Sequence, residues 1–215
     1  FMRLYSTVTE IIGQSGRRGA LMLSIDIRHP DVIDFITCKS DLSKITGANI
    51  SVKINQEFKD AVDKDEDYIL KWPIDAPLPQ YPENLNYKEL TKVVLENNQT
   101  IYYKRVKAKK LWDLLNENTW RFAERGILIY DRLVDDDTTG AYDELRPVST
   151  NPCGEIGLSP YDSCRLICTN LFSLVKNPFN SNAELDYDLA YKVFYECQVL
   201  ADDLVDLELE AIDRI

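Results

Sequence analysis

Asn151, Cys153 and Glu155 lie two positions apart, a spacing that could place an amide, a thiol and a carboxylate side by side. On an extended segment, residues at i, i+2 and i+4 project to the same side of the backbone. Such a set suits a redox or radical step at sulfur with a base beside it. The alternative is that Asn-Pro and Cys-Gly form a plain turn around a small buried thiol, since Asn, Pro and Gly are all turn formers.

The remaining cysteines and the single histidine argue against a metal site or a disulfide framework. The five cysteines include no Cys-x-x-Cys pair, and His29 is the one histidine, so no zinc site is predicted. An odd number of cysteines is not typical of a secreted disulfide framework, which indicates a reducing, cytoplasmic location. Cys38 and Cys197 are interpreted as packed core or loop residues, since free cysteine is commonly buried.

The composition is that of a globular protein, with 215 residues of which 45% are hydrophobic and 28% charged. The net charge of −11 comes from scattered acidic residues, which argues against a non-specific nucleic-acid binder. A few local Arg and Lys residues would still suffice to hold the phosphates of a nucleotide. No apolar run approaches the roughly 20 residues of a membrane span, so no membrane association is predicted.

Short apolar runs alternate with helical patterns, which predicts an α/β fold with mainly parallel strands. The predicted strands cover residues 20–25, 49–54, 100–104, 127–130 and 165–174. The predicted helices cover residues 1–12, 31–37, 57–62, 108–124 and 187–215, the last broken once. Residues 72–86, with four prolines, are predicted to be a surface excursion without regular structure. Residues 146–159, around Cys153, are predicted to be an irregular loop.

Several residues should begin, end or bury these helices. Gly13 and Gly16 should end the first helix, and Asp31 could cap the second. In the helix at 108–124, one apolar face should contain Leu111, Trp112, Leu115 and Trp120. In the last helix, four residues should face a core: Leu189, Val193, Leu200 and Leu204. Both chain ends cut through helical patterns, so we expect an internal piece of a longer protein.

The run Ser149-Thr150-Asn151-Pro152-Cys153-Gly154-Glu155-Ile156, followed by Tyr161-Asp162-Ser163-Cys164-Arg165-Leu166, resembles the active-site loop of ribonucleotide reductase catalytic subunits. Further segments resemble this family in the same order: Phe1-Met2-Arg3-Leu4-Tyr5, Gln14-Ser15-Gly16-Arg17-Arg18-Gly19-Ala20, His29-Pro30-Asp31, Gly47-Ala48-Asn49-Ile50-Ser51-Val52 and Asp202-Asp203-Leu204-Val205-Asp206. The resemblance covers nearly the whole chain and is weakest between about Lys64 and Val106.

The resemblance implies that residues 1–215 are the central portion of the family's catalytic barrel domain. That domain is a ten-stranded α/β barrel of two five-stranded parallel halves, with a finger loop, here about residues 146–159, inside it. The strands near Ala20, Asn49, Ile127 and Arg165 would belong to the barrel. The radical would then be shielded from water by the surrounding barrel.

The resemblance also implies a role for each residue of the loop. Cys153 would be the transient thiyl radical that abstracts the 3′ hydrogen of a ribonucleotide, Glu155 would accept the proton of the 3′ hydroxyl, and Asn151 would bind the ribose hydroxyls. Loss of the 2′ hydroxyl as water requires two electrons, which a cysteine pair supplies in this family. Cys164 matches one member of that pair, and the position of the other lies upstream of Phe1. Cys168 lies where the family pattern does not require cysteine, so it is interpreted as a structural thiol.

A second loop resembles the family's relay between the allosteric nucleotide and the substrate base; the alternative is a solvated connector. Its candidate residues are Lys39, Ser40, Asp41, Leu42, Ser43, Lys44 and Gly47. The helix that follows Phe1 resembles a helix of the family's dimer interface, the alternative being packing on the barrel. The implied partners are a ribonucleotide substrate, a nucleoside triphosphate effector, a second copy of the complete subunit and a thioredoxin-type reductant.

Within the family, the residues of the two cysteine motifs, Asn-Pro-Cys-Gly-Glu and Tyr-Asp-Ser-Cys, are most similar to those of class II enzymes. These enzymes generate the radical from adenosylcobalamin. One alternative is a class I catalytic subunit, which receives the radical from a separate metal-bearing subunit and would bind no cobalamin. Another is an inactive or split fragment that must assemble with a complementary chain. No activity is expected of the isolated chain.

Overall fold

The computed structural model describes residues 1–12, 19–41, 43–124 and 126–214, and the chain divides into two compact units, Phe1–Tyr161 and Asp162–Ile215. The helices are α1 (Met2–Ile11), α2 (Val32–Thr37), α3 (Gln56–Asp63), α4 (Ala108–Phe122) and α5 (Tyr130–Asp135) in the first unit, and α6 (Tyr187–Ile212) in the second. The strands are β1 (Met22–Asp26), β2 (Asn49–Ile54), β3 (Asp67–Trp72), β4 (Thr91–Val94), β5 (Thr100–Lys107), β6 (Gly126–Ile129), β7 (Ser149–Thr150) and β8 (Gly157–Leu158), then β9 (Val175–Lys176) and β10 (Glu184–Leu185) in the second unit.

A parallel sheet in the order β1-β2-β6 organises the first unit. Its central strand, β2, alternates polar and apolar residues along its whole length: Asn49, Ile50, Ser51, Val52, Lys53 and Ile54. Because successive strand residues point to opposite faces, the sheet has one polar and one apolar face. Parallel pairing of Ser24 with Ser51, and of Ser51 with Gly126, extends the polar face across all three strands.

The apolar face of the sheet packs against α2, α3 and α4. Ile50 and Val52 are almost completely buried, in one cluster with Phe58 of α3 and Leu115 of α4. Asn55 begins α3 by accepting a hydrogen bond from the backbone amide of Phe58 at 2.8 Å, an N-cap interaction. The α/β layering and the parallel pairing predicted from the sequence are therefore confirmed for this part of the chain.

A second sheet, antiparallel and in the order β3-β5-β4, follows α3 in the chain and leads into α4. The Lys71 amide donates to the Arg28 carbonyl at 2.6 Å and connects β3 to the segment after β1. The sheet has a small apolar cluster of its own: Ala76, Leu85, Ile101 and Tyr103. The 72–86 excursion contains only a short 3-10 helix, Pro82–Asn84, as expected from its prolines, but it is not all surface, since Ala76 and Leu85 are buried.

The second unit differs from its predicted structure in two respects. Residues 165–170 pair with no strand among residues 162–214, and Leu171–Leu174 form a 3-10 helix because the Asn170 side chain accepts from the Phe172 amide at 3.1 Å. The predicted strand at 165–174 is therefore wrong. Helix α6 runs without a break, and Leu200 on it is 51% exposed, so the predicted core face is also wrong. Within residues 162–214, no layer covers that face.

Smaller departures come from helix ends and single side chains. Asp31 precedes α2 but makes no side-chain cap. Trp120 is 82% exposed, so it does not belong to the buried face of α4. Helix α4 ends at Phe122, and Ala123 directly after it lies in the left-handed region, with φ 52°. Gly13 and Gly16, the expected end of α1, lie outside the described residues.

None of the helices in the described ranges is long and apolar enough to cross a membrane.

Candidate active site

Residues 147–158, here called the 147–158 loop, lie against the polar face of the parallel sheet. Four side chains of the sheet region contact it. Tyr130 Oη donates to the Pro147 carbonyl at 2.8 Å, and Asn49 Nδ2 donates to the Pro152 carbonyl at 3.0 Å. Lys53 Nζ donates to the Val148 carbonyl, and the hydroxyls of Ser24 and Ser149 are 3.5 Å apart. The loop is therefore held by residues far from it in the sequence.

The loop is a short hairpin closed by a tight turn. Strands β7 and β8 pair Ser149 with Leu158 and Thr150 with Gly157. At the tip, the Gly154 amide donates to the Asn151 carbonyl at 3.0 Å, and the Ile156 amide donates to Asn151 Oδ1 at 3.2 Å. Gly154 has φ +85°, a conformation that residues with a side chain rarely adopt.

This turn corrects the extended geometry predicted for Asn151, Cys153 and Glu155. Since Asn151 and Gly154 bring the chain back on itself, the three residues do not follow one another along one side of a strand. The alternative interpretation, a plain turn around a buried thiol, is confirmed for the backbone, which does form a turn. It is wrong about the thiol, because Cys153 is exposed and not buried. A tight turn with an exposed thiol at its tip presents the sulfur to whatever occupies the adjacent space.

That adjacent space is a pocket of about 590 Å³, within the range of small-molecule sites. Its described lining comes from three places: Pro152 and Cys153 of the loop; Thr46, Gly47 and Asn49 before and within β2; and Thr9, Glu10, Gly19, Ala20 and Leu21 from α1 and the approach to β1. Asn151 and Glu155 are not among these described lining residues. The structure thus brings Cys153 together with Gly47, whereas Glu155 is exposed on the far part of the turn.

Two charged side chains of the parallel sheet, Lys53 of β2 and Asp26 of β1, lie near the start of the loop. Burial lowers the pKa of Lys53, and the nearby carboxylate of Asp26 partly opposes that shift. The Lys53 amine lies 4.2 Å from the centroid of the Tyr130 ring, a cation–π contact. Burial, with a smaller contribution from Asp26, raises the pKa of the Tyr130 hydroxyl. Asp26 is itself paired with Arg28 at 2.7 Å.

The second candidate loop begins with a buried residue and continues at the surface. Lys39 is buried, and its amine donates to the Ala48 carbonyl and to Glu124. Ser40 Oγ donates to Asn118 Oδ1 of α4 at 3.2 Å. These contacts hold the start of the loop against α4 and against the residues just before β2.

The exposed middle of this loop is held by its own side chains. Asp41 accepts from the Ser43 hydroxyl at 2.6 Å and pairs with Lys44 at 3.2 Å. The bond from Ser43 is the main reason that the pKa of Asp41 falls to about 2. Leu42 lies outside the described residues.

The end of this loop packs on α1. The Gly47 amide donates to Ser6 Oγ at 2.8 Å, and Thr46 donates to Glu10. A Cβ at position 47 would lie 2.4 Å from the Ser6 carbonyl oxygen, so only glycine fits this approach. The loop therefore connects α1, α4 and the Cys153 pocket.

The remaining cysteines lie in different surroundings. Cys38 is partly buried against the main core. In the second unit, Cys164 is partly buried, Cys168 is exposed, and Cys197 Sγ lies 3.8 Å from Thr169 Oγ1. Among the described residues, no group of three or more His, Cys, Asp or Glu side chains is arranged to hold a metal ion.

Asn49, Lys53 and Tyr130 contact the loop, yet the sequence analysis assigned them no role. The signal was present in β2, where polar residues at 49, 51 and 53 alternate with aliphatic ones. Parallel strands buried on both faces normally read as continuous apolar runs. A strand that instead alternates presents its polar face to solvent or to a polar partner, and here the 147–158 loop lies against it.

The chain was compared with known proteins. The model of the family described as "Ribonucleotide reductase, barrel domain" matches residues 1–214. The chain is 30% identical to a vitamin B12-dependent ribonucleoside-diphosphate reductase of Thermoplasma acidophilum, covering 100% of the chain and 24% of that protein. It is 26% identical to a protein of the same description from Mycobacterium tuberculosis, over 96% of the chain and 26% of that protein.

A third relative, the vitamin B12-dependent ribonucleotide reductase of Rhodopirellula baltica, is 24% identical over 100% of the chain and 21% of its own length. The chain thus spans about a quarter of the length of the curated relatives that it matches. The family match extends over both units, including the exposed Cys153 and its pocket. This chain belongs to the ribonucleotide reductase barrel domain family.

Proposed function

We propose that the complete protein reduces ribonucleotides to 2′-deoxyribonucleotides for DNA synthesis, and that Cys153 is the radical-carrying residue. The observation that carries the proposal is the exposed Cys153 thiol at the tip of a fixed turn, lining a pocket of about 590 Å³ in a chain of this family. A hydrogen-atom transfer needs the sulfur in contact with the reacting carbon, which an exposed thiol facing a pocket permits.

The residues of the turn then take part as follows. A thiyl radical at Cys153 removes the 3′ hydrogen atom of the ribose, and Glu155 accepts the proton of the 3′ hydroxyl. Asn151 binds a ribose hydroxyl through its amide nitrogen, since its amide oxygen already accepts from Ile156. The 2′ hydroxyl leaves as water, the Cys153 thiol returns the hydrogen atom, and the radical re-forms at its sulfur.

Replacement of the 2′ hydroxyl by hydrogen requires two electrons and two protons, one proton leaving in the water. We propose that Cys164 and a second thiol supply them and become a disulfide, which a thioredoxin-type reductant then reduces. Cys164 is only partly buried, so its sulfur is accessible to such exchange.

The relatives are named as vitamin B12-dependent, which favours adenosylcobalamin as the cofactor of the complete protein. When bound, this cofactor supplies the radical that oxidises a thiol. The exposed Cys153 fits that role, since a buried sulfur could not be reached, and it is the residue of this chain that would face the cofactor. The alternative is a class I subunit, in which a separate metal-bearing subunit supplies the radical.

The second loop is proposed to relay an effector nucleotide to the substrate. It touches α1 through Gly47 and Ser6, touches α4 through Ser40 and Asn118, and lines the Cys153 pocket through Thr46 and Gly47. An effector bound beside α1, at an interface between two copies of the complete subunit, would therefore act on a loop that borders the reaction site.

The central test is the replacement of Cys153 by serine in the complete protein. Since serine cannot carry the radical under these conditions, we expect deoxyribonucleotide formation to be lost while nucleotide binding persists. The measurements are product formation by chromatography and nucleotide binding by calorimetry. Cys168→Ser is the matched control, because Cys168 is also an exposed thiol. Reduction that survives in the Cys153→Ser variant would refute the assignment.

Cys164→Ser separates the two thiol roles. We expect it to stop multiple turnovers at the reductive step, with the 3′ hydrogen abstraction retained as tritium release from 3′-labelled substrate.

The radical source is decided by assaying the complete protein with adenosylcobalamin and no other subunit. Reduction under those conditions supports the cobalamin-dependent proposal, and an absolute requirement for a second subunit contradicts it.

A further inference from the structure

We infer that Asn49, Lys53 and Tyr130 form a carbonyl clamp, a set of positioning residues that hold the 147–158 loop, and with it Cys153, on the polar face of the parallel sheet. The structural part of this inference stands on the contacts alone. Its consequence for turnover rests on the proposed function.

The three side chains hold carbonyl groups at two separate places in the loop. Tyr130 and Lys53 bind the carbonyls of Pro147 and Val148, where the loop begins. Asn49 binds the carbonyl of Pro152, the residue directly before Cys153. Proline has no backbone N–H, so at positions 147 and 152 the carbonyl is the one backbone group that a side chain can hold. The clamp thus fixes both the base and the tip of the loop.

Of the three clamp residues, Lys53 is the one whose burial removes a charged group from water. A lysine amine removed from water is destabilising unless it is paired or hydrogen-bonded. Here it is compensated by three neighbours: the Val148 carbonyl, the Tyr130 ring at 4.2 Å and the Asp26 carboxylate of the adjacent strand. Two of these belong to the loop or to another clamp residue. The loop supplies one of the three, the Val148 carbonyl, so it provides part of the compensation for the Lys53 amine.

Asn49 and Lys53 share one face because they are four residues apart on β2. Ser24 on β1 also reaches the loop, but its oxygen is 3.5 Å from that of Ser149, the limit of a hydrogen bond. The clamp is therefore assigned to the three shorter contacts. Together they span the loop from residue 147 to residue 152, the stretch that leads directly to the thiol.

Lys53 and Tyr130 are not among the described lining residues of the pocket, so loosening their contacts should displace the sulfur more than it alters substrate binding. A misplacement of about 1 Å in a reacting group costs up to about 100-fold in rate. We therefore expect Lys53→Met and Tyr130→Phe to lower kcat by about 10- to 100-fold with KM unchanged within about twofold, whereas Asn49→Asp, at a residue that lines the pocket, should change both. A smaller folded fraction would also lower the apparent kcat at unchanged KM, so the folded fraction of each variant is measured by circular dichroism and kcat is expressed per folded enzyme.

The experiment compares three variants with a matched control in the complete protein. Lys53→Met removes the amine but keeps the chain length, Tyr130→Phe removes only the hydroxyl, and Asn49→Asp replaces the donor by an acceptor. The control is Lys59→Met, since Lys59 is an exposed lysine of α3 paired with Asp63 at 3.8 Å. Tyr130→Phe and Asn49→Asp are close to isosteric, so they keep the test valid if Lys53→Met does not fold.

The first readout is hydrogen–deuterium exchange of the loop amides that are bonded within the loop: Val148, Asn151, Gly154 and Ile156. We expect faster exchange at these amides in the three variants and no change in Lys59→Met. Exchange at wild-type rates in Tyr130→Phe and Asn49→Asp would overturn the clamp, even if activity falls. If the wild-type protein does not reduce ribonucleotides, the proposed function fails, and the exchange rates still decide the clamp.

Discussion

Gly154 determines the direction of the Cys153 turn. Its φ of +85° lies in the region where a side chain costs about 1 kcal/mol or more, and a Cβ there would lie 3.4 Å from Leu128 Cδ2. The conformation of the residue, more than the space around it, therefore requires glycine. This sets the local geometry of the thiol that precedes it.

Gly154→Ala should lower the free energy of unfolding by about 1 kcal/mol, because alanine at this φ is strained. Urea denaturation followed by circular dichroism measures the change. Gly140→Ala is the control, since a Cβ at position 140 meets its nearest neighbour at an ordinary 3.4 Å and its φ is not in the left-handed region. Equal effects at both positions would contradict the role given to the φ of Gly154.

For the residues of the turn, the structure tests the predicted geometry, while their chemical roles stay predictions. The amide, thiol and carboxylate of Asn151, Cys153 and Glu155 could be recognised from their spacing and their surroundings. Their arrangement could not, because the period of two applies only while the backbone is extended, and the turn at Gly154 ends that. The roles of Lys53 and Tyr130 depend on contacts with a loop more than 15 residues away in the chain, which local patterns do not report.

Among the elements, β2 was predicted with its observed bounds and β1 and β6 within one or two residues. Each is a short apolar or alternating run between turn residues. Strands β3 and β4 were not predicted. Their stretch of the chain is rich in charged residues and close to prolines, and what makes it a sheet is pairing with β5. Such tertiary pairing overrides local preference.

The antiparallel sheet should contribute an acid-sensitive part of the stability through Asp67. Burial alone would raise the pKa of this carboxyl, but bonds from Lys107, Tyr87 and Arg105 outweigh burial and lower it to about 2. In the unfolded chain the pKa is about 4. Because the folded value is the lower one, the stabilisation is complete above pH about 4 and is lost as pH falls through about 2.

Asp67→Asn should therefore reduce the free energy of unfolding by about 1 kcal/mol at neutral pH, and the difference from wild type should vanish near pH 2. The measurement is urea denaturation of both proteins between about pH 2 and pH 7. Asp63→Asn, in an exposed pair with Lys59, is the control and should cost about 0.5 kcal/mol or less. A wild-type advantage that persists unchanged at the lowest pH would contradict this account.

For the molecule as a whole, each unit leaves something uncovered: strand edges in the first unit and apolar side chains in the second. In the first unit, the parallel sheet has three strands, so within the described residues β1 and β6 each have one unpaired edge. In the second unit, α6 exposes large apolar residues along its length: Leu189, Tyr191, Phe194, Leu200, Leu207 and Ile212. Parallel sheets are normally covered on both faces. The ten-stranded barrel of the family would supply such cover, and its completion remains a prediction.

The chain assayed alone should accordingly give no ribonucleotide reduction, and it should bind a hydrophobic dye such as ANS more strongly than the complete protein does. A complementary chain that restores activity would support the split-fragment alternative. Measurable turnover by the isolated chain under the conditions of the complete protein would contradict the expectation. Dye binding distinguishes exposed apolar surface from simple loss of a cofactor.

The antiparallel sheet has a consequence for the evolution of chain length. Trp72, at the end of β3, pairs with Tyr102 near the start of β5, so the chain leaves and returns at neighbouring points. The segment between them packs mainly on its own cluster of Ala76, Leu85, Ile101 and Tyr103. Insertions or deletions there would change the number of residues between β2 and the 147–158 loop without moving the two paired positions at which the segment begins and ends. Changes of length in this segment would therefore affect its own small cluster more than the parallel sheet on which the 147–158 loop lies.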